Sequence, residues 1–434
     1  MALFKTGSVC RSRSSLMRTV FFAAFLSILY INSNYLRAHW SSRSSGMGPE
    51  SYSEDLPADF RSRPPHQGAR TCRPRSNFVF IKCMKCATET MASVLRRYTY
   101  QRNLSAVLPV KWRLYLGWPY PMTSDDFRPS RRGYNTLIDH AIYNSSSMRA
   151  LMPPDTVFIT MIREPFKHFV SVLNYFDVFS ISNTRVQQGI AAVRDYLRHI
   201  EEYDAVYKSA QAAPDRICIP DDFSITKNLL SHCLGMPTGF PLGMANITGN
   251  SEAVEQYIQD LDAEFSLVMI MEYFDESLVL LRRLMCWDTK DILYHTANVG
   301  SYQKNFTVAD LSSEEASVHR NWCQVDIRLY EHFNRSFWKK IRQQGADFVQ
   351  EVVYFKQVLQ AVKSFCDKKA SPIEFPESRW SPAFHVSAEE CRQIFCDPHD
   401  LLVSLKRRYE KTEGQVRLNQ TSSHFTQRKY FPLC

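Results

Sequence analysis

Three short, largely apolar runs set the fold class of this chain: Phe78 to Ile81, Val157 to Ile162 and Leu267 to Met271. Each is followed by apolar residues at helical spacing. After the first come Met91, Val94, Leu95 and Tyr98. After the second comes an aromatic-rich helix through Phe176, and after the third a helix carrying Leu278, Leu281, Leu284 and Met285, with Asp275 as its expected cap. Strands alternating with helices predict an α/β fold with a central, mainly parallel sheet flanked by helices. Tyr257 to Phe265 and Val325 to Ile341 read as further amphipathic helices, the latter turning Ile327, Tyr330, Phe333, Phe337 and Ile341 to the core. After Lys363 the pattern weakens, and Pro372, Pro376, Pro382 and Pro398 predict a loop-rich extension of the same domain. The expected division is a domain over 76–362 and its extension over 363–434. A chain of 434 residues with 44% hydrophobic residues can bury one large core of this kind.

The net charge of +9 suggests a nucleic-acid partner until it is located. Residues 1–75 hold eleven Lys/Arg against four Asp/Glu, which is +7 and leaves +2 for the rest. The folded part is nearly neutral, and no zinc finger, RNA-binding signature or basic heptad array is present. Much of the excess flanks an uncharged run, Val20 to Ile31, preceded by Arg11, Arg13 and Arg18. Leu16 to Leu36 supplies the roughly 20 residues a membrane helix needs if Arg18 snorkels to the interface. A cleaved signal peptide would want a small-x-small pattern that Asn32 to Arg37 lacks. The expectation is a cytoplasmic tail over 1–18, a transmembrane signal anchor over 19–36 and a Ser-, Arg- and Pro-rich stem over 37–75.

Six N-x-Ser/Thr sequons, at Asn103, Asn144, Asn246, Asn305, Asn334 and Asn419, all follow the anchor and favour a lumenal domain. Twelve cysteines agree with an oxidising compartment; Cys366, Cys391, Cys396 and Cys434 are disulfide candidates and Cys10 is cytoplasmic.

Two loops carry the chemistry. Lys82-Cys83-Met84-Lys85-Cys86-Ala87-Thr88-Glu89-Thr90 stands where a strand feeds a helix N-terminus, a natural cradle for an anion, although it has no glycine and no Walker spacing. The second is Arg163-Glu164-Pro165 with Ser171, placing an arginine at a strand's C-terminal end and a hydroxyl two helical turns on, a pairing suited to a second anion. No carboxylate cluster or His/Cys array has convincing metal spacing, so no metal is expected. Cys83 and Cys86 form a C-x-x-C, but no partner motif accompanies it.

The two loops resemble the 5′-phosphosulfate and 3′-phosphate motifs of sulfotransferases. Tyr134 to His140, Leu267 to Leu278 and Arg328 to Trp338 resemble, more specifically, the galactose-3-O-sulfotransferase family, over about residues 77–345. The resemblance implies a P-loop-NTPase-like sulfotransferase fold and 3′-phosphoadenylyl sulfate (PAPS) as co-substrate. It also implies an acceptor glycan whose terminal β-galactose offers its 3-hydroxyl, on a glycolipid or glycoprotein, and a Golgi membrane location as a single-pass type II protein; a homodimer is left open. By the same resemblance Lys85 meets the transferring group, Lys82, Thr88 and Thr90 help hold the 5′ end, and Arg163 with Ser171 holds the 3′-phosphate. His140 matches a family histidine and is the expected base, with His168 a lesser candidate and His232, His295 and His332 without a motif. Relatives typically read Lys-Thr-His-Lys-Thr-Ala where this chain has Lys82 to Ala87, losing two hydroxyls and a histidine, and Glu89 adds a negative charge. A catalytically impaired nucleotide- or glycan-binding protein, or a sulfotransferase for another position such as a uronic acid 2-hydroxyl, are the alternatives. Acceptor contacts are expected from Leu104 to Arg132, where Trp112, Tyr115, Trp118 and Tyr120 can either stack on sugars or pack in the core.

Overall fold

The computed structural model describes residues 72–110, 114–212, 215–216, 219–296, 306–368 and 372–414, with the backbone alone at Lys368. The expected tail and anchor, most of the stem, Asn305, Asn419, Trp112 and Cys434 lie outside these residues. Among the described residues no helix is long and apolar enough to cross a membrane.

A five-stranded sheet forms the centre. Its strands are β1 (Phe78–Ile81), β2 (Ala106–Val107), β3 (Thr136–Leu137), β4 (Val157–Ile162) and β5 (Leu267–Ile270), in the order β2-β3-β1-β4-β5. Every pairing is parallel, with Phe78 against both Thr136 and Val157, and Ile159 against Leu267. The long strands FVFI, VFITMI and LVMI are buried throughout, as a parallel sheet covered on both faces demands. From β1 the chain moves first to one side, through β2 and β3, and then to the other at β4. The crevice beyond the carboxyl ends of β1 and β4 is therefore where this topology places a ligand.

The helices that matter here are α1 (Thr88–Gln101), α2 (Pro165–Tyr175), α3 (Leu229–Cys233), α4 (Ser251–Glu264), α5 (Phe274–Met285), α6 (Gln324–Arg342), α7 (Asp347–Lys368), α8 (Ala388–Phe395) and α9 (Pro398–Glu413). Helix α6 buries Val325, Leu329, Phe333, Phe337 and Ile341, whereas Ile327 and Tyr330 sit at its margin. Asp275 does not cap α5: Tyr273 holds the cap position without a side-chain bond, and the Asp275 carboxylate instead accepts from Tyr294 Oη at 3.0 Å.

The region beyond residue 363 is not loop-rich. The expected boundary falls inside α7, and a β6 (Ile373–Phe375) and β7 (Phe384–Val386) hairpin leads into α8 and α9. Pro398 is the first residue of α9, where a missing N–H costs nothing, and Asp397 caps it by accepting from His399 N at 2.8 Å. A disulfide joins Cys366 to Cys391, tying α7 to α8, and Cys396 Sγ donates to Gln393 O at 3.4 Å. Helix α9 lies on α1, with Arg96 Nη1 donating to Pro398 O at 3.1 Å and Arg408 Nη1 donating to Tyr100 O at 2.7 Å.

Candidate active site

The loop after β1 turns sharply without glycine. Lys85 (φ 61°) and Ala87 (φ 53°) both take the left-handed conformation, at a cost of about 1–3 kcal/mol each, the kind of strain that collects at functional sites. Three bonds compensate it: Thr88 Oγ1 donates to Cys83 O (2.8 Å), Cys86 Sγ donates to Met84 O (3.3 Å) and His168 Nε2 donates to Met84 O (2.9 Å). A carbonyl can only accept, so Nε2 carries the proton of His168, and burial holds this ring neutral with its pKa near 3. His168 thus shapes the loop.

The C-x-x-C does not close on itself. Cys83 is bonded to Cys233 at the end of α3, with their Cα atoms 5.6 Å apart. Cys86 keeps a buried thiol whose pKa burial pushes far up, leaving it unreactive.

The loop after β4 meets the first one. Glu164 caps α2, accepting from Phe166 N (3.0 Å) and Lys167 N (2.8 Å), which aims Arg163 back across the sheet ends. Arg163 Nη1 donates to Lys85 O at 3.1 Å, while its buried Nε has no partner. Ser171 is buried two turns along α2, and one turn further Tyr175 offers its ring to Lys85, whose Nζ stands 3.7 Å from the ring centroid. Burial, then the charge of Arg163, lowers the Lys85 ammonium to about 8. Lys85 and Arg163 thereby meet at the carboxyl ends of β1 and β4, while Ser171 is buried on the helix that follows.

Lys82 and Thr88 are not gathered with them. Lys82 is 1% exposed and its ammonium is held by Glu89; the Thr88 hydroxyl is committed to Cys83 O, and Thr90 is buried on α1. Glu89 also lies 3.8 Å from Arg96, which pairs with Asp139. Burial would raise the Glu89 carboxyl, but the charges of Lys82 and then Arg96 outweigh it and hold it at about 2. The negative charge beside an anion site is thus cancelled by buried cations. Arg96 and Asp139, 43 residues apart, carry no local motif, so their pairing is not legible from residue order.

His140 closes the group. Its Nδ1 lies 2.6 Å from Lys82 O, so Nδ1 bears the proton and the lone pair is on Nε2, which stands 3.9 Å from Glu89. Burial and then the Lys82 charge hold its pKa well below 6.5. The Tyr115 ring lies 5.6 Å from it and stacks on Trp118, whose buried Nε1 has no partner. Elsewhere, His232 bonds Pro119 O and Thr238, His332 pairs with Asp262, and His295 stacks on Phe395. Asn103, Asn144 and Asn246 are exposed; Asn334 lies on α6 with a buried, unpartnered Oδ1. Among the described residues no group of three or more His, Cys, Asp or Glu gathers to hold a metal ion.

Fold and site together define an α/β protein in which the loops after β1 and β4 meet at the carboxyl ends of adjacent parallel strands. The family model described as galactose-3-O-sulfotransferase matches residues 8–373, and the chain belongs to that family. It is 29% identical over 303 residues to galactosylceramide sulfotransferase of Homo sapiens (69% of this chain, 66% of the relative), and 30% identical over 309 residues to that of Mus musculus (70% and 67%). Galactose-3-O-sulfotransferase 3 of Mus musculus is 30% identical over 275 residues (62% and 58%). The chain spans about two thirds of the length of the first two.

Proposed function

We propose that this chain is a carbohydrate sulfotransferase that moves a sulfuryl group from PAPS to a sugar hydroxyl, the 3-hydroxyl of a terminal β-galactose on a glycolipid or glycoprotein. The observation that carries this reading is the bond from Arg163 to Lys85 O, which joins the two anion loops into one site. The residues fit such a nucleotide: a buried guanidinium with an unpartnered Nε, and the Ser171 hydroxyl on the helix that follows it, suit its 3′-phosphate, and a half-buried lysine suits its sulfated end. Bound there, the nucleotide supplies the activated sulfuryl group.

The chain's own residues supply position and charge. Lys85 gives a cation where negative charge develops on the leaving oxygen, in surroundings that exclude much of the water. His140, neutral and with its Nε2 lone pair free, takes the proton of the acceptor hydroxyl. Tyr175 holds the Lys85 ammonium until an anion draws it away.

A binding protein without transfer is the second reading, favoured by the commitment of Lys82, Cys83 and Thr88 inside the loop. Incubation of the purified full chain with radiolabelled sulfate donor and a panel of galactosides decides between them. Transfer that Lys85→Ala abolishes supports the enzyme; binding of 3′-phosphoadenosine 5′-phosphate without transfer to any acceptor supports the second reading. We further place the protein in the Golgi membrane with its catalytic domain lumenal. Glycosidase-sensitive mobility of the expressed chain, abolished by substituting the sequons, tests this.

A further inference from the structure

Three disulfides join described residues: Cys72 to Cys286, Cys83 to Cys233 and Cys366 to Cys391. Only the second ends in an anion loop. Cys83 is wholly buried between Lys82, whose carbonyl receives His140, and Met84, whose carbonyl receives His168. Its partner sits at the end of α3, a helix fixed from both ends of the site. Asp326 on α6 accepts from Leu230 N (3.0 Å), Ser231 N (2.8 Å) and Ser231 Oγ (2.6 Å), so α3 cannot drift away from the core. Tyr143 N, three residues past His140, donates to Cys233 O at 3.0 Å. His232 Nε2 donates to Pro119 O at 2.9 Å, beside Trp118 and within the segment that brings Tyr115 to His140.

The dipeptide His232-Cys233 therefore touches three parts of the site at once: the donor loop by a covalent bond, the base segment by a backbone bond and the aromatic segment by an imidazole. A loop with two left-handed non-glycine residues stores strain that would relax if its middle were released. A covalent tether to a helix anchored elsewhere opposes that release.

We propose that the Cys83–Cys233 disulfide is the clamp that holds the Lys82 to Thr88 loop in its anion-binding shape, and that Cys83, Cys233 and His232 are positioning residues for donor binding. This inference rests on the sulfotransferase reading for its ligand, not for its geometry. In a chain without the clamp the loop opens and Lys85 loses its fixed place over Tyr175.

The test uses the full chain in detergent, with 3′-phosphoadenosine 5′-phosphate as probe. Peptide mapping without reduction is expected to recover Cys83 linked to Cys233; recovery of both as free thiols overturns the proposal. The Cys83→Ala/Cys233→Ala pair is expected to bind the probe about ten-fold more weakly and, in transfer assays, to raise the donor KM by a similar factor while the acceptor KM stays within about two-fold. The remote Cys366→Ala/Cys391→Ala pair is expected to lower Tm without changing probe affinity. Probe affinity within about two-fold of wild type in the first pair, or an equal loss in both pairs, overturns the proposal. Should the alanine pair give no cooperative melt, Cys83→Thr/Cys233→Ala, which restores a hydroxyl at the position relatives fill with threonine, takes its place. If the wild type binds no nucleotide, the sulfotransferase reading falls. The clamp is then judged by hydrogen exchange alone: faster exchange of the 82–88 amides in the double variant supports it, and unchanged exchange overturns it.

Discussion

The loops after β1 and after β4 both belong to the candidate donor site, yet they use charge in opposite ways. The first turns most of its charge inward: Lys82, Glu89, Arg96 and Asp139 form a buried chain of ion pairs with His140 alongside, and only Lys85 reaches outward. The second keeps its carboxylate for capping α2 and leaves the Nε of Arg163 without a partner. Two lysines three residues apart thus have unrelated tasks, and a basic residue in an anion loop is not thereby an anion contact. What separates them is burial together with an available counter-charge.

That contrast breaks most readily at Glu89. Glu89→Ala leaves the Lys82 ammonium buried and uncompensated, and chemical denaturation is expected to show a loss of about 3–5 kcal/mol; a loss below about 1 kcal/mol would show that the pair does not hold the loop. Lys85→Ala should leave the melt nearly unchanged and lower the transfer rate about 10²–10³-fold, the usual cost of removing one charge-stabilising donor. Lys82→Met, in contrast, should act chiefly on Tm.

Arg163→Lys keeps the charge but loses the planar fork. Calorimetric affinity for 3′-phosphoadenosine 5′-phosphate is expected to fall about ten-fold, and unchanged affinity would remove Arg163 from the site.

The smallest effect is on pH dependence. Lys85 is lowered to about 8, by burial first and Arg163 second, so it is charged below that value and loses its charge as pH rises through it. Nucleotide affinity should be level below about pH 7 and weaken by up to about ten-fold per unit well above 8, a limb that Lys85→Arg moves to higher pH. His140, held well below 6.5, stays neutral at mildly acidic pH, so the acid limb of the rate should lie below 6.5.

Much of this was legible from residue order, and what was not has physical reasons. The strands Phe78–Ile81 and Val157–Ile162 were bounded correctly because an apolar run flanked by a lysine or an arginine marks its own ends. The meeting of Lys85 with Arg163 followed from each lying at a strand's carboxyl end, given that β1 and β4 are neighbours. The inward turn of Lys82 could not be read, since it depends on Arg96, Asp139 and His140 sharing one buried volume with Glu89. The C-terminal helices were missed because proline was read as a breaker, whereas Pro398 opens a helix behind the cap of Asp397. The Cys83–Cys233 bond, across 150 residues, had no local signature at all.

The packing of α9 on α1 has a consequence for how the molecule is made. Arg96 and its acceptor Pro398 are separated by 302 positions, so the helix that follows the donor loop leaves the ribosome long before its flank exists. During that interval the Arg96 guanidinium lacks its Pro398 acceptor, and α1 lacks the wall that α9 supplies. The early part of the nascent chain must therefore wait, exposed to chaperones, until residues 398–413 arrive to complete its packing.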